Sequence, residues 1–312
     1  MKISVQTDGI IDVLGAKAGC KLLKECGFEA VDWGLGSGLR SRDIEKGQYA
    51  NNIFEKEISE ILDYYKDVLE ELKNNDLVIT QAHAPFPAYV IDFGEKFFDY
   101  MIEILKKCIL LCDRVGCKNL VVHGVSLPET EKRLNFDDID KINDKLYTAL
   151  IPTLQQTNVT VCLENLFRTT RNVKKQIYLV SGHCANAYEA VETIDKLNAL
   201  AGKECFGLCL DIGHLQLSKQ DVRKYTKVVG KRIKALHIHD NDGAVDLHLA
   251  PYTGTVDWQN FYTALKDIGY KGDLSFETFR QIQQPFCDRE MMKPWLNLIA
   301  ACGRFFKSKI EN

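Results

Sequence analysis

The feature that most restricts the fold of this chain is an alternation of short β-rich runs with amphipathic helical patterns, repeated about eight times. Such an alternation is typical of parallel βα units, and it is unlike the pattern of a sandwich or a helical bundle. Eight strands, each followed by a helix, close naturally into a (β/α)8 TIM barrel. The predicted strands cover residues 3–7, 30–35, 78–84, 119–124, 160–166, 207–213, 233–239 and 273–278.

The segments between the strands carry apolar residues at intervals of three and four, as in "EISEILDYYKDVLEELKNN" and "VDWQNFYTALKDIGY", which predicts amphipathic helices. No low-complexity linker or charge block interrupts the series. We therefore predict one domain over residues 1–312, of the α/β class.

Metal-capable side chains end six consecutive predicted strands, the third to the eighth. These residues are His83, His123, Glu164, Asp211, His239 and Glu277. Catalysis in a (β/α)8 barrel takes place at the carboxyl ends of the strands. This arrangement therefore predicts a functional site where the six side chains converge.

The alternation of side chains along a strand predicts which way the carboxylates point. Glu164 shares a face with Cys162, and Asp211 shares one with Cys209, while bulky aliphatic residues take the opposite face. Glu277 pairs with Ser275 in the same way. Small and polar side chains should therefore face the barrel lumen, which places the carboxylates at its mouth.

Converging carboxylates and imidazoles predict a divalent cation, because an unpaired charge removed from water is costly. We expect Glu164, Asp211, His239 and Glu277 to bind the cation. Mn²⁺, Zn²⁺, Co²⁺ or Fe²⁺ suits such mixed ligands, whereas Mg²⁺ prefers oxygen ligands and is a weaker candidate.

Other histidines and acids near these strand ends leave alternatives open. A single strand-end histidine such as His83 or His123 is more often a hydrogen-bonded structural residue than a ligand. The sequence "DIGH" adds His214, and "DLH" adds Asp246 and His248, as possible ligands of a larger metal cluster. His237 is expected one layer deeper in the lumen, in a structural role or a role supporting the ligands, and His183 is expected at the surface. Asp240 and Asp242 are expected to be either loop caps or catalytic groups.

Two long connections follow predicted strands at the functional end, residues 36–52 and 167–187. Loops in such positions are commonly lids or binding loops. Aromatic residues at strand ends are expected either to wall a pocket or to pack in the core; they are Trp33, Phe86 and Phe167. Arginines beyond the fifth and eighth strands are expected either to grip an anionic substrate group or to lie in solvent; they are Arg168, Arg171 and Arg280.

Composition narrows the class of protein. The net charge is −3, from 40 basic and 43 acidic residues, and no basic face is evident, so a nucleic-acid partner is not expected. Neither an export signal nor a membrane span is apparent. The 11 cysteines are scattered without a C-x-x-C pair, which favours reduced core residues and a cytoplasmic protein.

The motifs "HAPF", "LEN", "LDIGH", "HIHDND", "DLH" and "FET" make the whole chain resemble the xylose-isomerase-like TIM-barrel superfamily. This superfamily includes ketose 3-epimerases of the D-tagatose 3-epimerase type and the endonuclease IV repair enzymes. Resemblance to the epimerase branch implies one divalent ion held by Glu164, Asp211, His239 and Glu277, with His214 contacting the substrate. His83, His123, His248, Trp33, Phe86 and Arg280 are then expected to line the substrate site.

The resemblance favours a metal-dependent isomerase or epimerase of a sugar or sugar phosphate, in which Glu164 and Glu277 act as acid and base on a metal-held enediolate. Such a protein would belong to carbohydrate metabolism, and it would be a possible homo-oligomer. An alternative is a zinc-cluster phosphoesterase like endonuclease IV, whose nine ligands match His83, His123, Glu164, Asp211, His214, His239, Asp246, His248 and Glu277. A further alternative is a non-catalytic, metal-dependent sugar-binding barrel.

Overall fold

The structure, a computed structural model, describes residues 1–128, 131, 133–171, 174, 176–283 and 287–312. Eight of its strands form one parallel sheet in the order β10-β1-β2-β3-β4-β5-β8-β9. The strands are β1 (Ile3–Gln6), β2 (Ala30–Gly34), β3 (Val78–His83), β4 (Asn119–Val122), β5 (Thr160–Glu164), β6 (Phe167–Arg171), β7 (Ile177–Ser181), β8 (Phe206–Asp211), β9 (Ile233–His237) and β10 (Leu274–Phe276).

Contacts between β9 and β10 close this sheet into a barrel. The backbone N–H of Ile238 donates to Ser275 O at 2.9 Å, and the N–H of Glu277 donates to Ile238 O at 3.1 Å. The predicted (β/α)8 barrel is therefore confirmed, and all eight predicted strands occur with ends shifted by a few residues.

Helices surround the barrel and occupy most connections between its strands. Among the described residues they are α1 (Ile11–Leu14), α2 (Ala16–Cys26), α3 (Ser41–Glu45), α4 (Ile58–Tyr64), α5 (Lys66–Asn74), α6 (Gly94–Val115), α7 (Phe136–Thr148), α8 (Ile151–Gln155), α9 (Ala187–Ala201), α10 (Ile212–Leu217), α11 (Val222–Val229), α12 (Trp258–Asp267) and α13 (Arg289–Glu311). None of these helices combines the length and the apolar character needed to cross a membrane.

The two faces of the barrel strands differ as their alternation requires. Large aliphatic side chains such as Leu163 and Leu210 join the extended core between strands and helices. A separate small cluster fills part of the lumen, made of Val121, Cys162, Cys209 and Ala235. Because these lumen side chains are small, the interior retains room for polar groups below the strand ends.

The connection after β5 has regular structure of its own. Residues 167–187 were predicted as a long connection of the lid or binding-loop kind, and they contain an antiparallel hairpin in which Phe167 pairs with Ser181 and Arg171 with Ile177. Positions 172, 173 and 175 of this connection lie outside the described residues. The hairpin satisfies the backbone hydrogen bonds that an irregular excursion of this length would leave to water. All eleven cysteines are buried and none forms a disulfide.

Candidate functional site

A cavity of about 680 Å³ opens at the carboxyl ends of the barrel strands. Its walls come from several βα connections, and the predicted residues His83, His123, Glu164, His214, His248 and Glu277 all contribute. The cavity therefore lies where the strand-end pattern predicts a functional site.

Three carboxylates meet around one imidazole at the floor of this cavity. Glu164 is the last residue of β5, Asp211 the last of β8, and Glu277 follows β10 directly. His237 Nδ1 lies 3.3 Å from Glu164 Oε1, 3.3 Å from Glu277 Oε2 and 3.8 Å from Asp211 Oδ2. One oxygen or nitrogen atom from each of these four residues lies within 4.8 Å of the others. We call this group the inner cluster.

Asp211 holds its position because it serves two elements at once. Its Oδ1 caps α10 by accepting the N–H of His214 at 2.6 Å, and its Oδ2 lies 3.0 Å from His239 Nε2. The Asn165 amide group fixes the backbone of Asp211, donating to its carbonyl and accepting its N–H, each at 2.8 Å. The D-x-x-H spacing therefore places His214 one helical turn above the carboxylate.

Gly213 leaves the space that His239 occupies. A Cβ atom at position 213 would lie 2.0 Å from His239 Cε1 and 2.5 Å from its Nδ1. Such distances are far inside van der Waals contact. Only glycine at this position allows the ring to rest beside Asp211.

A second group combines His83, His123 and Glu164. The Nε2 atoms of the two histidines lie 3.1 Å apart, and Glu164 Oε2 is 2.8 Å from His123 Nε2 and 3.7 Å from His83 Nε2. Phe86 covers this pair, with its ring centroid 4.4 Å from that of His123 and 5.3 Å from that of His83.

A third group, here the outer cluster, combines His214, His239, Asp246 and His248. Asp246 Oδ2 lies 3.0 Å from His248 Nε2 and 3.4 Å from His214 Nε2. The rings of His239 and His248 stack with centroids 4.0 Å apart. His239, predicted to bind the cation together with Glu164, Asp211 and Glu277, thus contacts Asp211 from the outer side.

Burial and opposite charge set the protonation of these groups. Burial opposes ionisation of Glu164, but His237 and His123 hold the pKa of its carboxyl well below its usual range. Burial likewise opposes the charge on His248, yet Asp246 and Glu277 raise its pKa to about 9. Burial lowers the pKa of His123. Glu164 therefore stays ionised and attracts positive charge to the centre.

The atoms of the centre fit a divalent cation. His237 Nδ1, His239 Nδ1 and Asp246 Oδ1 are buried without a hydrogen bond among the described residues, although buried polar atoms are normally paired. The donors are carboxylate oxygens and imidazole nitrogens, which are the ligands of Mn²⁺, Zn²⁺ and Co²⁺. A cation at the inner cluster would neutralise its carboxylates.

Several residues that were expected either at the substrate site or in a core or solvent position lie outside the cavity. Trp33 is 2% exposed and packs its ring against Tyr65 at 4.9 Å, because β2 turns Asp32 into the lumen and Trp33 outward. Arg280 is exposed and is not among the residues that line the cavity. Arg171 is exposed as well. Arg168 lines a separate cavity and stacks on Phe136 at 4.3 Å.

Phe167 does line the main cavity, as expected, and meets His214 edge-on at 5.0 Å. His183 was expected at the surface but is buried, with its ring stacked on Tyr147 at 5.9 Å. Asp240 and Asp242 act as loop caps. Asp240 accepts from Gly254 N, Val256 N and Trp258 Nε1, and Asp242 accepts from Ala244 N and Val245 N.

The polar residues on the β1–β2 side of the cavity were not predicted from the sequence. Gln6, Asp8, Asp12 and Asp32 all contribute to its lining. Burial and the neighbouring Asp12 raise the pKa of the Asp8 carboxyl to about 7. The signal was available in "VQTDG" and "AVDWG", where polar residues occupy the ends of the first two strands.

Comparison with known proteins adds independent information. A family model described as a xylose isomerase-like TIM barrel matches residues 20–297. The protein y4fM of Sinorhizobium fredii is 26% identical over 280 residues, which cover 85% of this chain and 81% of that protein. The inosose isomerase of Bacillus subtilis is 26% identical over 194 residues, covering 60% of this chain and 63% of the isomerase.

Solved structures share the fold. A D-allulose 3-epimerase from Methylomonas sp. superposes with a TM-score of 0.70 at 14% identity, covering 99% of this chain and 98% of the epimerase. The IOLI protein with a bound zinc atom gives a TM-score of 0.66 at 15% identity, covering 99% of each chain. At these identities the superpositions carry the barrel architecture alone.

Proposed function

The chain belongs to the xylose isomerase-like TIM-barrel family, and from this premise we propose that it is a divalent-metal-dependent isomerase or epimerase of sugars. The observation that carries the proposal is the placement of Glu164 and Glu277. They come from different sides of the barrel, and both reach within 3.3 Å of the same atom, His237 Nδ1. Removing a proton to form a planar intermediate and returning one to it requires two carboxylates that approach the same point from different sides.

Glu164, Asp211, His239 and Glu277 are the residues proposed to hold the cation. When bound, a divalent cation polarises a ketose carbonyl and acidifies the neighbouring C–H bond. Mn²⁺, Co²⁺ and Zn²⁺ suit this donor set better than Mg²⁺.

One glutamate removes the proton from the carbon beside the carbonyl. The electron pair of that C–H bond forms the C=C bond of an enediolate, and the carbonyl oxygen takes the negative charge. The other glutamate enters the step protonated and donates its proton to the opposite face or to the neighbouring carbon, so that the two glutamates end with their protonation states exchanged. His214 and His123, which border Glu164, donate hydrogen bonds to substrate oxygens, while Phe86 and Phe167 limit the access of water.

The walls of the cavity favour an unphosphorylated sugar. Asp8, Asp12 and Asp32 line its β1–β2 side, where Arg40 is the basic residue among the described lining groups. A phosphate dianion placed there would meet more negative than positive charge. Hydroxyl groups, in contrast, donate well to carboxylates.

The test is turnover of a panel of ketoses and their phosphates by the Mn²⁺-loaded protein, with Glu164→Gln and Glu277→Gln as variants. Because each variant removes an acid–base group, we expect turnover to fall by roughly 100- to 10,000-fold. Glu204→Gln is the matched control, since its side chain is 74% exposed far from the cavity. The metal content of each variant is measured in parallel, so that loss of the cation is not mistaken for loss of the base.

Two results would contradict the proposal. Turnover unchanged in both glutamine variants would exclude the assigned bases. Normal sugar binding with no turnover of any ketose by the wild-type protein would favour the non-catalytic sugar-binding barrel instead.

A second candidate function is a zinc-cluster phosphoesterase. The observation in its favour is that the pair His83 and His123 and the outer cluster form groups that could hold further metal ions. Two or three zinc ions per chain, together with phosphate-ester cleavage, would support this function. One cation per chain without phosphate release would reject it.

A further inference from the structure

The imidazole of the inner cluster contacts a further buried carboxylate on the side away from the glutamates. Asp32 belongs to β2 and His237 to β9, and His237 Nε2 is 3.2 Å from Asp32 Oδ2. Asp32 is 2% exposed and His237 is fully buried. The ring of His237 therefore spans the lumen, with Nε2 toward Asp32 and Nδ1 toward Glu164 and Glu277.

Gln81 fixes the far end of this pair. Its Nε2 donates to Asp32 Oδ2 at 2.6 Å and to the carbonyl of Leu236 at 3.2 Å. These contacts join β2, β3 and β9 across the lumen. The small side chains of Cys209 and Ala235 leave the space that the ring requires.

The near end of the ring is held between the two glutamates. His237 Nδ1 is equidistant from Glu164 Oε1 and Glu277 Oε2, at 3.3 Å from each. The ring also stacks nearly parallel on His83, with centroids 5.5 Å apart. It therefore cannot move without moving a proposed cation ligand.

This arrangement destabilises the folded state. Both ring nitrogens of His237 and Oδ1 of Asp32 are buried without a hydrogen bond of good geometry among the described residues. Apolar side chains of similar volume are often as stable or more stable in such places. A polar pair kept under these conditions points to a role in the site above it.

We propose that His237, oriented by Asp32, is a positioning residue that sets the separation of Glu164 and Glu277 and thereby the geometry of the cation site. This inference rests on the proposed function, because it concerns the same cation. It assigns His237 a role that differs from that of His239, which lies on the outer side of Asp211.

The experiment is Co²⁺ titration of the metal-free protein, followed by calorimetry and by the visible absorption of the bound ion, for His237→Leu, His237→Asn and the wild type. Leu fills the volume of the ring with apolar atoms, whereas Asn returns a polar group near the Nδ1 position. We expect His237→Leu to fold normally, to bind Co²⁺ roughly 10- to 100-fold more weakly and to change its spectrum. We expect His237→Asn to recover part of both.

Asp32→Asn provides a second, independent test. If Asp32 acts through His237, this change weakens Co²⁺ binding in the wild-type background and has little further effect in His237→Leu. Ser275→Ala is the control, because Ser275 is a buried lumen residue that contacts Ser4. It should leave the affinity and the spectrum unchanged.

Wild-type affinity and spectrum in His237→Leu would overturn the inference, and so would an Asn variant no better than the Leu variant. A wild-type protein that binds no Co²⁺ would overturn both this inference and the proposed function. Sugar turnover with a Co²⁺ site indifferent to position 237 would overturn the inference alone. A Co²⁺ site that depends on His237 in a protein that converts no sugar would overturn the proposed function alone.

Discussion

Replacing Gly213 by alanine should damage the cation site without unfolding the protein. The new Cβ would lie 2.0 Å from His239 Cε1, so the ring must retreat by roughly 1.4 Å, the difference from the 3.4 Å at which ordinary contact begins. Gly213 lies in α10 without a positive φ, so the alanine backbone itself is unstrained. Alanine also favours the helix by about 1 kcal/mol, which offsets part of the packing strain.

The displacement separates His239 Nε2 from Asp211 Oδ2, which lie 3.0 Å apart. Since disturbing the groups that orient a metal site typically costs roughly 10- to 100-fold in metal affinity, we expect Mn²⁺ affinity to fall by about that factor. Calorimetric titration of Mn²⁺ into the metal-free variant measures the effect. Gly36→Ala is the matched control, because a Cβ at that position meets no atom within 4 Å.

Unchanged Mn²⁺ affinity in Gly213→Ala would refute the reasoning that His239 belongs to the cation site. Equal losses in Gly213→Ala and Gly36→Ala would show that the effect is not specific to the ring.

Three further predictions concern stability. Because the pKa of Asp8 is raised to about 7, the free energy of unfolding falls as pH rises from about 4 to 7. The free energy of unfolding of Asp8→Asn should exceed that of the wild type by ~1–2 kcal/mol above pH 7, after allowance for solvent screening, and should equal it below pH 4. Denaturant unfolding of both proteins in the presence of a metal chelator measures the difference. A difference independent of pH would contradict this. Asn165→Ala should lower the free energy of unfolding by about 2 kcal/mol or more in the same assay, because the backbone of Asp211 loses both of its 2.8 Å hydrogen bonds to the Asn165 side chain. A decrease below about 0.5 kcal/mol would contradict this prediction. Chelation should lower the thermal midpoint, and Mn²⁺ at 100 times its Kd should restore about 2.7 kcal/mol; a midpoint insensitive to Mn²⁺ would contradict it.

The barrel was predictable because its signal is local and repeated. Each βα unit carries its own periodicity, and alternation along β5 and β8 correctly turned Glu164 and Asp211 toward the lumen. The hairpin of β6 and β7 was missed, since "FRTTR" and "IYLVS" lie within what was interpreted as a binding loop. Its pairing depends on contacts between two segments that neither segment specifies alone.

The sequence predicted which residues converge at the site. It did not predict which of their neighbours these residues contact. The deeper position of His237 followed from its register with His239. Its contact with Asp32 did not, because that contact depends on how β2 and β9 face each other across the lumen. Trp33 was expected either to wall the pocket or to pack in the core, and it packs in the core because the neighbouring Asp32 takes the lumen side. His183 is buried by Tyr147, from a helix 36 positions earlier, which local sequence does not reveal.

The most direct test of the central claim is solvent-proton exchange during sugar conversion. The Mn²⁺-loaded protein is incubated with ketoses in D₂O, and NMR measures deuterium at the carbons beside the carbonyl. We expect one solvent deuteron at such a carbon in the product, and we expect chelation and Glu164→Gln each to abolish its incorporation. Conversion without deuterium would contradict the glutamate proton transfer, and no conversion of any sugar would contradict the proposed function.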